Sequence, residues 1–179
     1  MKRTVLLMTV LFLMAELSLA VTPRFGVGAF GGLEIPIVQD DQDQGNILGI
    51  RGRVSLTPMI TLEPRLHFSK YGDPSFDEFT ADLDGSKVTA FGVDALVGTP
   101  FSRVGVFGIV GVGSYKIKRD QTGQDESDIG WSGGLGLEFG LTPQVAIDAR
   151  GLFILIPSEG GGSKKSIAIF TGVNFHFGQ

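Results

Sequence analysis

The chain has 179 residues with a formal net charge of −4, 27 glycines and no cysteine. The acidic balance speaks against nucleic acid as a partner. The missing cysteines exclude disulfides, thiolate metal sites and lipid attachment through an N-terminal cysteine. Glycine far above the usual ~7%, without a collagen period, fits strands that bend sharply or approach one another closely.

The first segment reads as a secretory signal peptide, residues 1–20. Lys2 and Arg3 give a positive start, Thr4 to Ala15 is an apolar run, and Ser18-Leu19-Ala20 supplies small residues before a cut. The run is shorter than the ~20 apolar residues that a membrane-spanning helix needs. The mature domain is then 21–179, one domain's worth of chain. Removing Lys2, Arg3 and Glu16 leaves it one unit more negative.

Thr-Pro recurs at Thr22-Pro23, Thr57-Pro58, Thr99-Pro100 and Thr142-Pro143, each time ahead of alternating apolar and polar residues. The last three prolines repeat about every forty residues, the period of a hairpin with one short turn and one longer loop. Three such turns divide the mature chain into eight strands. Strand one sets Phe25, Val27, Leu33, Ile35 and Ile37 outward, with Arg24, Phe30 and Glu34 inward. Strand two, Ile47 to Thr57, sets Leu48, Ile50, Val54 and Leu56 against Arg51, Arg53 and Ser55. Strand three, Ile60 to Tyr71, sets Ile60, Leu62, Pro64, Leu66 and Phe68 against Thr61, Glu63, Arg65, His67 and Ser69. Strand four sets Thr89, Phe91, Val93, Ala95 and Val97 outward and Asp94 inward. Strand five is apolar on both faces from Val104 to Val112, and Phe107, Ile109 and Tyr115 are assigned outward. Strand six, Ile129 to Leu141, sets Ile129, Trp131, Leu135, Leu137, Phe139 and Leu141 against Ser132 and Glu138. Strand seven sets Val145, Ile147, Phe153 and Leu155 against Asp148 and Arg150. Strand eight sets Ile167, Ile169, Val173, Phe175 and Phe177 against Ser166, Asn174 and His176. A period of two over this length marks strands.

Three features favour a transmembrane barrel over a soluble sandwich. The strands exceed the ~5–6 residues usual in soluble sheets and reach the ~9–11 that a tilted membrane strand needs. Aromatic residues sit near strand ends: Phe68, Tyr71, Tyr115, Trp131 and Phe153 toward the loops, and Phe25, Phe139, Phe175 and Phe177 toward the Thr-Pro turns. Two such bands read as interfacial girdles. The polar face is charged and Gly-rich, as a barrel interior can be. The connections opposite the Thr-Pro turns are longer and acidic, at 39–46, 72–86, 120–128 and 158–164. Short turns face the periplasm and long loops face outward. The expected fold is all-β: an eight-stranded antiparallel up-and-down transmembrane β-barrel in the outer membrane of a diderm bacterium.

The signal peptide, the Leu56-Thr57-Pro58 and Leu141-Thr142-Pro143 turns and the final strand Gly172-Val173-Asn174-Phe175-His176-Phe177 resemble the small outer-membrane barrels of the OmpA-like and opacity-protein type. The resemblance covers the mature chain. It implies outer-membrane lipid as surroundings and the barrel-assembly machinery as a partner during biogenesis, which in that family reads a terminal aromatic residue. Here Gly178 and Gln179 follow Phe177. The peptidoglycan-binding domain of larger OmpA-like proteins is not expected after strand eight.

The candidate site is an interior ion network of Glu34, Arg51, Arg53, Glu63, Arg65, Asp94, Glu138, Asp148 and Arg150. A tight turn at Pro58 would set Arg53 opposite Glu63, and a symmetric first loop would bring Arg51 near Glu34. Buried charges must be paired, and eight strands leave an interior that side chains just fill. An ion-paired plug is therefore favoured over a conducting path. His67 and Ser69 share the spacing of the catalytic pair of outer-membrane lipid A deacylases. Both fall on the interior face, away from acyl chains, so no catalytic residue is assigned. No cofactor or metal is expected, and His176 has no second histidine nearby in sequence. Asp40, Asp41, Asp43, Asp73, Asp77, Glu78, Asp82 and Asp84, with Phe76 and Phe79 among them, form acidic loops that offer a surface to an extracellular ligand, without a full cation-loop signature.

Overall fold

In the computed structural model, which describes residues 24–37, 44–71, 87–118, 125–157 and 162–177, every regular element is a strand. They are β1 (Phe25–Pro36), β2 (Gly45–Ser55), β3 (Ile60–Tyr71), β4 (Lys87–Gly98), β5 (Val104–Lys118), β6 (Asp125–Gly140), β7 (Val145–Pro157) and β8 (Ser163–Phe177). Each pairs antiparallel with its sequence neighbours, and β1 pairs β8, from Phe25 opposite Phe177 to Pro36 opposite Ser166, closing an eight-stranded barrel. The leader, Thr22-Pro23, Asp40, Asp41, Asp43, residues 72–86 and Gly178-Gln179 lie outside the described residues.

The Thr-Pro turns work through the threonine hydroxyl as well as the proline. Between β2 and β3, Thr57 Oγ1 accepts from the amides of Met59 (3.2 Å) and Ile60 (2.9 Å). Between β6 and β7, Thr142 Oγ1 accepts from Gln144 (3.2 Å) and Val145 (3.0 Å). The hydroxyl stands in for a backbone acceptor while proline presets φ. The turn at Thr99 is wider, with the Thr99 amide reaching Val106 O at 3.1 Å.

Alternation then sorts the residues between two faces. Leu48, Ile50, Phe91, Val110, Ile129, Trp131, Leu135, Ile169 and Val173 lie on the outer face, each about half exposed or more. Arg51, Arg53, Glu63, Arg65, Asp94, Glu138, Asp148 and Arg150, on β2, β3, β4, β6 and β7, point inward and are buried. An outer surface this apolar suits hydrocarbon rather than water.

The structure corrects the reading of β5. Phe107, Ile109 and Tyr115 point inward and are 1%, 2% and 2% exposed, whereas Val104, Val106, Val110 and Val112 form the outer face. Alternation within β5 cannot decide, because both faces are apolar. The neighbour decides: a Cβ on Gly136 of β6 would run into the Phe107 ring, and one on Gly130 would lie 2.8 Å from the Tyr115 ring. The rings fill space those glycines leave inside. Tyr71 is likewise interior, 8% exposed, because it continues the odd-numbered face of Glu63, Arg65 and Ser69. Tyr71 and Tyr115 therefore leave the proposed girdle. Arg24, expected inward, is exposed, since it precedes β1 at the open rim. The interior is also less polar than its charges suggest: Phe30, Ile47, Phe107, Ile109, Leu152, Ile154 and Phe170 form a buried apolar cluster inside the barrel.

The corrected register of β5 has a direct test. With single cysteines at 109, 110 and 112 carrying a fluorophore, a lipid-soluble quencher should act strongly at 110 and 112 and weakly at 109. The reverse pattern would restore the opposite register.

Candidate functional site

The barrel geometry brings three arginines and three carboxylates to one level. Arg51 and Arg53 come from β2, Glu63 from β3, Glu138 from β6, and Asp148 and Arg150 from β7. Each faces inward because it shares the interior parity of its strand. Arg53 is a three-way fork: Nε donates to Glu63 Oε2 at 2.8 Å and Nη2 to Asp148 Oδ2 at 2.9 Å, while Nη1 donates to Glu138. Arg150 grips Glu63 with both terminal nitrogens, at 2.6 and 2.8 Å, and its Nε donates to Asp148 Oδ2 at 3.0 Å. Arg51 donates from Nη2 to Asp148 Oδ1 at 2.7 Å and from Nε to Asn174 Oδ1 at 2.9 Å. Asn174 returns its amide hydrogens to Glu138 and Asp148, each at 3.2 Å. The fixed guanidinium fork suits such multidentate sharing, which a lysine ammonium could not reproduce. Charge balances within the cluster, and these ion-paired side chains are 0–1% exposed.

Backbone sites make the room. A Cβ on Gly28 would lie 3.1 Å from Arg51 Nε, and one on Gly172 would collide with Arg51 Nη2. Aromatic rings lie against the ions: the Arg51 guanidinium is 5.2 Å from the Phe30 ring centre and that of Arg150 5.2 Å from Phe107. Toward the turn end, His176 stacks near Phe101 at 4.6 Å and its Nε2 lies 3.9 Å from Glu138.

Two smaller groups lie apart from this cluster. Arg65 Nε is 3.1 Å from Asp94 Oδ2, close enough for an ion pair but too poorly aligned for a hydrogen bond. Arg65 Nη2 donates to Ser132 Oγ at 3.0 Å, and Ser132 Oγ donates to Asp94 Oδ1 at 3.2 Å. Glu34 does not meet Arg51. It accepts from Ser69 Oγ at 2.6 Å and Ser166 Oγ at 2.7 Å. The register explains the correction: Glu34 stands opposite Gly45, whereas Arg51 stands opposite Gly28, six residues earlier in β1.

His67 and Ser69 are 1% and 3% exposed, both inside the barrel. The Ser69 hydroxyl is engaged with Glu34, and the His67 ring lies between Phe30 and Tyr115 at 6.5 and 6.0 Å, with no hydrogen-bond partner on either ring nitrogen. No group of three or more potential metal ligands occurs among the described residues. On the outside, Phe25, Phe68, Trp131, Phe139, Phe153, Phe175 and Phe177 are all exposed. The residues that the sequence reading missed are the interior rings Tyr71, Phe107, Tyr115 and Phe170. The glycines at interior positions of β6 were the available signal.

A family model described as outer membrane protein beta-barrel domain matches residues 4–177. No curated protein matches the sequence. Among solved structures, Neisserial surface protein A is 17% identical with a TM-score of 0.62, the match covering 88% of this chain and 98% of that one. The N-terminal β-barrel domain of Pseudomonas aeruginosa OprF is 17% identical with a TM-score of 0.56, over 86% and 97%. Yersinia pestis Ail in a phospholipid bilayer nanodisc is 18% identical with a TM-score of 0.52, over 86% and 99%. At such identities the likeness shows the fold alone.

Removing one partner from a buried ion cluster leaves uncompensated charge and costs about 3–5 kcal/mol. Arg53→Met should therefore lower the unfolding free energy in denaturant titrations by roughly that amount, because three carboxylates lose a donor. A change below ~1 kcal/mol would mean that the cluster is hydrated rather than dry.

Proposed function

Because the chain belongs to the outer membrane protein beta-barrel domain family, and so resides in a bacterial outer membrane, we propose that it is a non-enzymatic envelope protein with a structural or surface-interaction role. The observation carrying this reading is the plug. Ion-paired side chains that are 0–1% exposed, with phenylalanine rings over them, leave no evident aqueous route. With the interior occupied, the surfaces left for action are the lipid face and the loops. The acidic segments 39–46 and 72–86 are the surface offered to an extracellular ligand. One neighbour, named as a surface protein, supports that reading by analogy of fold. Lipid-modifying catalysis by His67 and Ser69 is disfavoured because both point away from acyl chains. The exposed aromatic residues serve as interfacial girdles. Residues 1–20 act as the signal peptide, and the last strand is read by the assembly machinery through the alternation ending at Phe177. An ion path remains the second reading, since the cluster spans the barrel with charge of both signs.

Planar-bilayer recording separates the two readings. The purified barrel should give no reproducible conductance step, and a stable step lost in Glu63→Gln would establish the ion path. The mass of lipid A from cells with and without the protein should be unchanged. Sequencing of the envelope-bound protein should begin at Val21, and retention of Met1 would overturn the secretory reading.

A further inference from the structure

Lysine is confined to one end of this barrel. Apart from Lys2, the lysines are Lys70, Lys87, Lys116, Lys118, Lys164 and Lys165. All lie in the ends of β3, β4, β5 and β8 that adjoin the long connections. The described arginines are either buried in the interior or, as Arg24 and Arg103, exposed at the opposite end. Lys70, Lys87, Lys116 and Lys118 are exposed on the outer face of three adjacent strands. The register sets Lys70 directly opposite Lys87, and Lys87 directly opposite Lys118, with Lys116 opposite Thr89. Like charges placed opposite one another on a sheet repel and destabilise it. Such a row is tolerable where an anion meets it. The like-charge pairs therefore join β3 to β4 and β4 to β5. Lys87 and Lys116 also make interactions within the chain, which an ammonium with three donors accommodates.

The depth of the row identifies the anion. Ten residues separate Ile60, at the turn end of β3, from Lys70. At ~3.3 Å per residue and a tilt of ~40°, that is about 25 Å along the membrane normal, the height of an outer-membrane apolar band. The short turns face the periplasm, so the row sits at the headgroup level of the outer leaflet.

A second observation lies just below. A groove of about 680 Å³ opens on the outer face, its lining overwhelmingly apolar. It begins at Phe91 and Leu66, four residues below Lys87 and Lys70. It then crosses the wall through the paired positions Ile50, Ala29 and Val173. It is open where Ala29 and Gly52 present little side chain. It descends as it crosses: Val173 is ten residues from the loop end of β8, against four for Phe91 on β4. A concavity at this depth is surrounded by hydrocarbon, and an acyl chain is what can fill it.

We propose that the outer rim of β3–β5 and the groove beneath it form a binding site for an outer-leaflet lipid that carries phosphate groups above its acyl chains. Lys70, Lys87, Lys116 and Lys118 contact the phosphate, and the groove holds one chain. The site rests on the outer-membrane placement and is independent of the surface-interaction role.

The test uses the whole barrel, folded in zwitterionic detergent, with two probes: hexa-acylated lipid A bearing two phosphates, and the same lipid stripped of phosphate. Binding is read by native mass spectrometry, and folding of every variant by its heat-dependent gel mobility. The native barrel should bind the phosphorylated lipid about tenfold more tightly. The triple variant Lys70→Gln, Lys87→Gln, Lys118→Gln should lose that preference, while Lys165→Gln, across the barrel, should keep it. Gly52→Leu should weaken both lipids by filling the groove; its Cβ would meet only Pro64 Cγ, at an ordinary 3.5 Å. Equal binding of the two lipids by the native barrel would overturn the proposal without any variant, as would a folded triple variant that retained the preference.

Discussion

A strand set in hydrocarbon has no water to satisfy its amides and carbonyls, so every one must find a partner within the sheet. The pairing of β1 with β8, Phe25 to Pro36 against Phe177 to Ser166, is the contact that meets this demand for both end strands at once. The rest follows from it. Closure fixes which face is inside, and an eight-stranded closure leaves an interior only wide enough for side chains. Pro64 is instructive here. It has no amide hydrogen to give, and the β2–β3 ladder lapses beside it between Arg51–Arg65 and Val54–Leu62, yet β3 stays paired with β4 through Pro64–Val93. A closed sheet absorbs one weak rung because the neighbouring rungs cannot separate independently.

Inside, that narrowness makes volume and charge a joint problem. Arginine solves both parts, being long enough to cross the axis and forked enough to satisfy several carboxylates from different strands. Arg53 ties β2 to β3, β6 and β7, and Arg150 ties β7 to β3, so the cluster braces the wall across its diameter as well as filling it. Phenylalanines complete the filling where glycine on a facing strand leaves space.

Much of this was legible in the sequence. Alternation in β3 is unbroken from Ile60 to Ser69, and Thr-Pro marked the two tight turns correctly, so strand number, order and the inward charges could be read directly. The pair Arg53–Glu63 followed from turn length alone. What could not be read was anything decided by a neighbour rather than by a strand's own pattern. β5 carries valine, phenylalanine and isoleucine on both faces, and its orientation depends on Gly130 and Gly136 of β6. Glu34 was matched to Arg51 by assuming a symmetric loop, whereas the register puts Gly45 opposite it. Tyr71 was misplaced by treating aromatic residues as interfacial even where parity put this one inside. Long-range partners such as Arg51–Asp148 or Arg53–Glu138 depend on how far each strand is sheared against the next, which no single strand records.

The division of labour between the two cations is the last consequence of the same geometry. In the narrow interior a charge is tolerated only if its donors are met from several directions, and the guanidinium fork provides that. On the outer wall a cation is tolerated only where its stem can lie on apolar surface while its head reaches polar surroundings. Lysine at the loop ends of β3, β4 and β5 fits that description, above Phe68 and Phe91 on the lipid face. Exchanging the two residue types would fail in both places. A lysine at position 53 would leave carboxylates of three strands competing for one compact ammonium, and a charge at position 91 would sit at groove depth, too far below the rim for its head to escape the hydrocarbon. The placement of these charges is thus set by distance from water in two directions, radial for the interior arginines and axial for the lysines.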